Sequence, residues 1–298
     1  MPSTVDLTAE EFEAERPHLT AVAYRMLGSV AEAQDAVQEA WLRYTRVRAT
    51  GGIQDVRGWL TTVTGRICLD VLKSARVARE AYPGQWLPEY FVDPAVDPAT
   101  RAVQQDEVGL ALLVVLEKLT PEQRVAVVLH DAFGVPFDEV AAVLNTSDTA
   151  ARQHASRGRR AIAEGGVRHT AAPAEQRRAL TAFLDAARNG DLQALAAVLA
   201  PDVVAIGDGG GVVNAGSRPV VGADKVARLY LGILSNRLAG AELESEVVLL
   251  NGEPGLFVRG RLPDGQPFRS ALAVTVSDGR ITGLFNQMNP AKLLGPSQ

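Results

Sequence analysis

The stretch AYPGQWLPEYFVDPAVDPAT, residues 81–100, places Pro83, Pro88, Pro94 and Pro98 within twenty residues. A proline inside a helix removes a backbone donor and clashes with the preceding turn, at roughly 3 kcal/mol, and it pushes the residue before it towards extended conformations. Helical patterns on either side of this stretch therefore belong to separate blocks joined by a connector. EGGVRHTAAPAE, residues 164–175, reads as a second break. With 298 residues and 47% hydrophobic side chains, the chain can bury more than one core. The expected organisation is a helical domain over 1–80, a Pro-rich linker over 81–105, a second helical domain over 106–165, a short linker over 166–175, and an α+β domain over 176–298.

In the first block Ser29 and Glu32 form a capping box that starts a helix running to about Arg46. Val30, Ala33, Val37, Trp41 and Tyr44 repeat at helical spacing, which leaves Glu32, Asp35 and Glu39 as a stripe of carboxylates on another face. That stripe is either a solvated face, helped by Glu39 and Arg43 at i,i+4, or a docking ridge. A further helix over about Val56–Glu80 turns Leu60, Val63, Ile67 and Val71 inward. It carries Arg66, Lys73, Arg76 and Arg79 against Asp70 alone, an island of net +3 in a chain of net −5. Affinity for nucleic acid depends on local charge facing phosphate, so an acidic whole-chain balance does not exclude DNA binding.

The second block opens at Thr120-Pro121-Glu122-Gln123, an N-cap, a proline at the first helical position and a capping Gln. FDEVAAVL is a short helix, Asn145 tolerates a left-handed turn, and Ser147 caps the helix that follows. The spacing is that of a helix-turn-helix. Ala151, Ala155, Gly158 and Ile162 make a narrow seam towards the preceding helix, so Thr149, Arg152, Gln153, Ser156, Arg157 and Arg160 point outwards. A recognition helix uses that side for base edges and phosphates. From Ser147 to Arg168 five arginines face only Asp148 and Glu164, a second island of net +3, whereas a solvated face usually alternates in sign.

In the third block one helix precedes Gly-punctuated alternating runs such as SEVVLL, LFVRGRL and SALAVTVSDGRITGLF. Cys68 is the only cysteine, which excludes an internal disulfide and a thiolate zinc site. His18, His130, His154 and His169 have no ligand spacing, and no metal or cofactor is expected. No His or Cys follows His169, so a catalytic reading of this block would rest on Asp/Glu, Arg259, Arg261 or Tyr230. No enzymatic activity is expected. No apolar run approaches the roughly 20 residues of a membrane span, and the acidic start lacks a signal-peptide layout, so a cytoplasmic protein without a membrane partner is expected.

GSVAEAQDAVQEAWLRYTR resembles region two of the extracytoplasmic-function sigma factors of bacterial RNA polymerase. VRGWLTTVTGRICLDVLKSAR resembles the part of that family that meets the downstream promoter element, and LTPEQRVAVVLHDAFGVPFDEVAAVLNTSDTAARQHASRGRRAI resembles region four. The resemblance implies two all-α helical domains followed by a fused SnoaL-like (NTF2-like) α+β cone. It implies core RNA polymerase as partner through Glu32, Asp35 and Glu39. It also implies promoter DNA as partner through Arg66, Lys73, Arg76 and Arg79 and through the outward side of the helix-turn-helix. The fused subgroup's signatures are Trp86-Leu87-Pro88-Glu89, Asp208-Gly209-Gly210-Gly211 and Asn289-Pro290-Ala291-Lys292-Leu293, with Val212 where that family usually has Lys and Ala291 where it usually has an acid. They imply contact and regulatory roles for Trp86, Leu87, Pro88, Asp208, Gly209, Gly210, Gly211, Asn289, Pro290, Lys292 and Leu293, with the cone as an intramolecular regulator whose cavity is a candidate site for a small-molecule ligand. Read without the family, DGGG is a turn or a close contact, and WLPE is an apolar anchor or a docking surface. Two rivals stay open: a one-component regulator with a ligand-binding cone, and a SnoaL-like enzyme with a DNA-binding appendage.

Overall fold

The computed structural model describes residues 4–48, 51–80, 82–91, 110–164 and 171–294. These group into two units: one holds the residues up to Glu80 and 115–164, the other holds 82–91, 110–114 and 171–294. Residues 115–164 of the second expected helical domain thus share a unit with the first, whereas 110–114, and 82–91, expected as linker, group with the C-terminal block.

The first unit contains α1 (Thr4–Leu27), α2 (Val30–Arg48) and α3 (Val56–Glu80). Ser29 Oγ accepts from the Glu32 amide at 3.3 Å, and Val30, Ala33, Val37 and Tyr44 are buried, as the helical spacing requires. Phe12, Trp41, Tyr44 and Trp59 pack ring to ring across α1, α2 and α3. After α4 (Leu110–Leu116) come α5 (Pro121–Val127), α6 (Phe137–Leu144) and α7 (Asp148–Glu164). The Thr120 and Gln123 capping box is formed in both directions. Asn145 ends α6 at φ 51° and ψ 52°, a left-handed residue that reverses the chain into α7. Ala151, Ala155 and Gly158 are buried as the seam between α7 and its neighbours. Gly65 lets α3 approach closely, since a Cβ there would lie 3.3 Å from both Leu129 and Val143. Buried Arg124 ties α5 to α1 by donating to the Met26 carbonyl at 2.8 Å, and it also donates to Glu117 at 2.5 Å.

The second unit is a six-stranded sheet with helices on one face. In chain order its elements are β1 (Tyr90–Phe91), α8 (Pro173–Arg188), α9 (Leu192–Ala197), β2 (Leu199–Asp208), β3 (Val220–Val221), α10 (Ala223–Gly232), β4 (Glu242–Leu250), β5 (Glu253–Arg261), β6 (Pro267–Ser277), β7 (Arg280–Gln287) and β8 (Leu293–Leu294). The sheet order is β3-β2-β7-β6-β5-β4, with β2 and β7 parallel and the other pairs antiparallel. Alternate residues of a strand face opposite sides. Leu256, Leu272, Val274 and Leu284 accordingly pack with Leu180 and Phe183 of α8 and Val226 of α10. Their neighbours Phe257, Ala271, Ala273 and Phe285 pack on the other side against Leu87, Tyr90, Val114 and Leu293. Residues 82–91 of the proline-rich stretch therefore cover a sheet face, while the rest of it lies outside the described residues. Strand β1 pairs in parallel with β8, Tyr90 opposite Leu293. Periodicity alone predicts one helix before the strands; the structure has α8 and α9 there, the latter capped by Asp191 at the Ala194 amide, and adds α10 between strands.

Candidate functional site

On α2, Asp35 is exposed, Glu32 is half-buried, and Glu39 accepts from Arg43 Nε at 2.9 Å. Trp41 packs against Phe12 at 4.9 Å between ring centroids. The cations of α3 are partly engaged within the unit. Arg66 Nη2 donates to the Ala142 carbonyl of α6 at 2.8 Å, and Lys73 Nζ lies 3.4 Å from Glu122 of α5. Arg76 and Arg79 also lie on α3, but their side chains lie outside the described residues. On α7, Thr149, Arg152, Gln153, Ser156, Arg157 and Arg160 are all exposed on the side opposite the alanine and glycine seam. Arg152 is held by Asp148 at 3.0 Å and lies 4.5 Å over the Phe137 ring. Arg159 donates to Asp131 at 2.8 Å, whereas Arg157 and Arg160 carry no ion pair among the described residues.

The second unit brings the three quoted signatures to one point. Asp208, fully buried at the end of β2, accepts through Oδ1 from the Tyr82 hydroxyl at 2.6 Å and from the Gly210 amide at 3.0 Å. Through Oδ2 it accepts from Lys292 Nζ at 2.7 Å and from the Leu87 amide at 2.9 Å. Lys292 also donates to the Leu87 carbonyl at 3.0 Å and sits 4.2 Å over the Trp86 ring. Buried Gln287 donates to the Pro88 carbonyl at 2.9 Å and accepts from the Asn289 amide at 3.0 Å. Asn289 Nδ2 donates to the Tyr82 hydroxyl at 2.9 Å, while its Oδ1 caps the turn at Pro290 through the Ala291 amide. Desolvation, and then the Asp208 carboxylate, push the Tyr82 hydroxyl well above its ordinary pKa, so it stays a donor. Leu293 is buried beneath the cluster and pairs with Tyr90.

Glycine is required at this turn. A Cβ on Gly209 would run into the Val213 carbonyl, and Gly210 and Gly211 have φ of 60° and 75°. DGGG is thus a turn, and its glycines meet Asn289 and Pro83 of the same unit. Val212 is 76% exposed and Ala291 is also exposed, so the two departures from the subgroup's pattern lie outside the network around Asp208. Tyr82 and Gln287 were not singled out from the sequence. Nothing in a lone Tyr or Gln marks it as the partner of an acid more than seventy residues away.

A cavity of about 360 Å³ opens on the helix-bearing side of the sheet, among Phe183, Leu184, Leu256, Leu272 and Met288. Its polar lining among the described residues is Asn214, Arg218, Tyr230, Arg237, Ser270 and Asn286, with no Asp, Glu or His. Arg259 pairs with Glu244 at 3.2 Å and, like Arg261, does not line it. Among the described residues no group of His, Cys, Asp and Glu is arranged to hold a metal ion, and no helix is long and apolar enough to cross a membrane.

The helical unit and its partner sheet define a class. Residues 12–77 match the family model for sigma-70 region 2, and residues 109–162 match that for sigma-70 region 4. ECF RNA polymerase sigma factor SigJ of Mycobacterium tuberculosis is 43% identical over 296 residues, 97% of this chain and 94% of that protein. Probable ECF RNA polymerase sigma factor SigI of the same organism is 37% identical over 97% of this chain and 95% of its own length. The crystal structure of M. tuberculosis extracytoplasmic function sigma factor SigJ superposes with a TM-score of 0.76, at 42% identity, over 95% of this chain and 97% of that one. The chain belongs to the ECF sigma factors of the sigma-70 family, with a fused C-terminal α+β domain.

Proposed function

We propose that this chain binds core RNA polymerase and directs it to promoters, and that its α+β unit is a SnoaL-like cone that modulates this activity and holds a small molecule in its cavity. The observation that carries the DNA reading is the outward side of α7. Arg157 and Arg160 stand there without ion pairs among the described residues, beside exposed Thr149, Gln153 and Ser156, on a helix whose opposite side is sealed by alanine and glycine. This is the helix of a helix-turn-helix that enters the major groove. Asp35 and Glu39, with Glu32 behind them, form the ridge for the polymerase. Arg66 and Lys73, and with them Arg76 and Arg79, serve the downstream element once the bonds to Ala142 and Glu122 open. The Asp208 cluster is the contact through which the cone holds the segment containing Trp86, Leu87 and Pro88.

Run-off transcription with core polymerase and a promoter library tests the reading. The parent should initiate at defined promoters, Asp35→Arg/Glu39→Arg should lose core binding in a pull-down, and Arg157→Ala/Arg160→Ala should keep core binding but lose promoter-dependent initiation. A parent that never associates with core polymerase would overturn it.

A further inference from the structure

Several polar groups of the cavity are hydrogen-bond donors with spare capacity among the described residues. Ser270 Oγ donates to Asn286 Oδ1 at 2.6 Å, which occupies the acceptor end of that amide and leaves Nδ2 unpaired among the described residues. The Tyr230 hydroxyl has no hydrogen-bond partner there; its ring packs edge-on against Phe183 at 5.2 Å. Burial pushes that hydroxyl's pKa up, which keeps its proton in place. Arg218 has neither a hydrogen bond nor an ion pair among the described residues, and Arg237 has only the backbone carbonyl of Asn214. Among the described residues no carboxylate lines the space to balance the two guanidinium groups.

We infer that the cavity takes a small amphipathic anion, an aliphatic monocarboxylate whose chain lies among Phe183, Leu184, Leu256 and Leu272 and whose head is held by Arg218 and Arg237. The volume falls within the roughly 300–1,000 Å³ of small-molecule sites and equals about a dozen water-sized volumes at ~30 Å³ each, enough for a chain of about ten heavy atoms. Arginine recognises a carboxylate through paired, charge-assisted bonds. A neutral alcohol of the same length fills the apolar part but leaves the guanidinium groups, of which Arg218 is exposed, to water, and an amine adds a third cation. This deepens the proposed reading of the cavity as a ligand site and rests on it.

The test is calorimetric titration of the full-length chain with decanoate, decanol and decylamine. Decanoate should bind at one per chain, decanol at least about tenfold more weakly, since charge-assisted hydrogen bonds are the stronger class, and decylamine more weakly still. Arg218→Gln/Arg237→Gln should bring decanoate down to the level of decanol and leave decanol unchanged. Tyr230→Phe, a second variant in case the double replacement does not fold, should reduce decanoate binding several-fold and decanol binding less. Equal binding of decanoate and decanol by the parent, or decanoate binding unaffected by the variants, overturns the choice of a carboxylate while leaving a ligand site. Binding of none of the three overturns both.

Discussion

Replacing Asp208 by Asn changes one oxygen into an NH2 at a point where every partner is a donor. The carboxylate takes the Tyr82 hydroxyl and the Gly210 amide on one oxygen, and Lys292 and the Leu87 amide on the other, at 2.6 to 3.0 Å. Whichever way the new amide turns, one pair of donors meets another donor. Lys292, 12% exposed at its side chain, also loses its counter-ion. Removing one partner of a buried ion pair costs about 3–5 kcal/mol. The lower end applies here, because Lys292 keeps the Leu87 carbonyl and the Trp86 face. About 3 kcal/mol corresponds to an opening equilibrium more than a hundredfold larger. Native-state hydrogen exchange reads this directly at the Leu87 and Gly210 amides, whose protection should fall by roughly two orders of magnitude. Adding Lys292→Met to Asp208→Asn should restore part of the loss, since the stranded cation is then gone and the two effects are not additive. Unchanged protection at Leu87, or a cost below about 1 kcal/mol, would refute the reasoning that the carboxylate organises this contact.

Burial raises the pKa of the Cys68 thiol, so it should resist a thiol reagent such as dithionitrobenzoate in the folded chain and react only at the rate of unfolding. The Glu11 carboxyl is held below its ordinary value of 4.5 by hydrogen bonds from the Tyr44 hydroxyl and the Arg48 guanidinium. A depressed carboxylate stabilises the fold above its unfolded pKa and loses that contribution as pH falls through the folded one. Parent and Glu11→Gln should therefore differ in urea midpoint at pH 7 and converge as the pH is taken below 4.5. Asn145→Ala should cost about 1 kcal/mol for its left-handed backbone, and Asn145→Gly should be near neutral, by the same denaturation assay.

The sequence carried the local rules well. The caps at Ser29 and Thr120, the left-handed Asn145 and the small-residue seam of α7 depend on neighbours within one or two turns, and each was legible from spacing. Prolines 83 and 88 were also read correctly as breaking a helix. What spacing did not carry was where the non-helical segment goes, because Leu87 and Tyr90 are buried by residues up to two hundred positions away. The partners of Asp208 are equally non-local: Tyr82, Leu87 and Lys292 come from both ends of the second unit. The engagement of Arg66 by Ala142 was hidden for the same reason, since an exposed-looking cation on one helix is answered by a carbonyl on another.

The covered sheet face has a topological consequence for the sigma part of the chain. The segment that carries Tyr82, Leu87 and Tyr90 lies in sequence between the two matched stretches, 12–77 and 109–162. Tyr90 and Val114, on either side of the connector, pack into the same apolar cluster. As free chain, the 24 steps from 90 to 114 would span up to roughly 80 Å at ~3.3–3.6 Å per residue. That shared cluster fixes the separation of Tyr90 and Val114. Loosening the Asp208 contact and deleting the α+β unit are therefore different perturbations. The first returns reach to the connector and keeps the sheet. The second also strips the cover from Leu87 and Tyr90, both fully buried, and leaves two large apolar side chains in solvent, each worth about 1.5–3 kcal/mol of burial. An activity change on deletion alone mixes tether length with that exposed surface, and only the point variant isolates the tether.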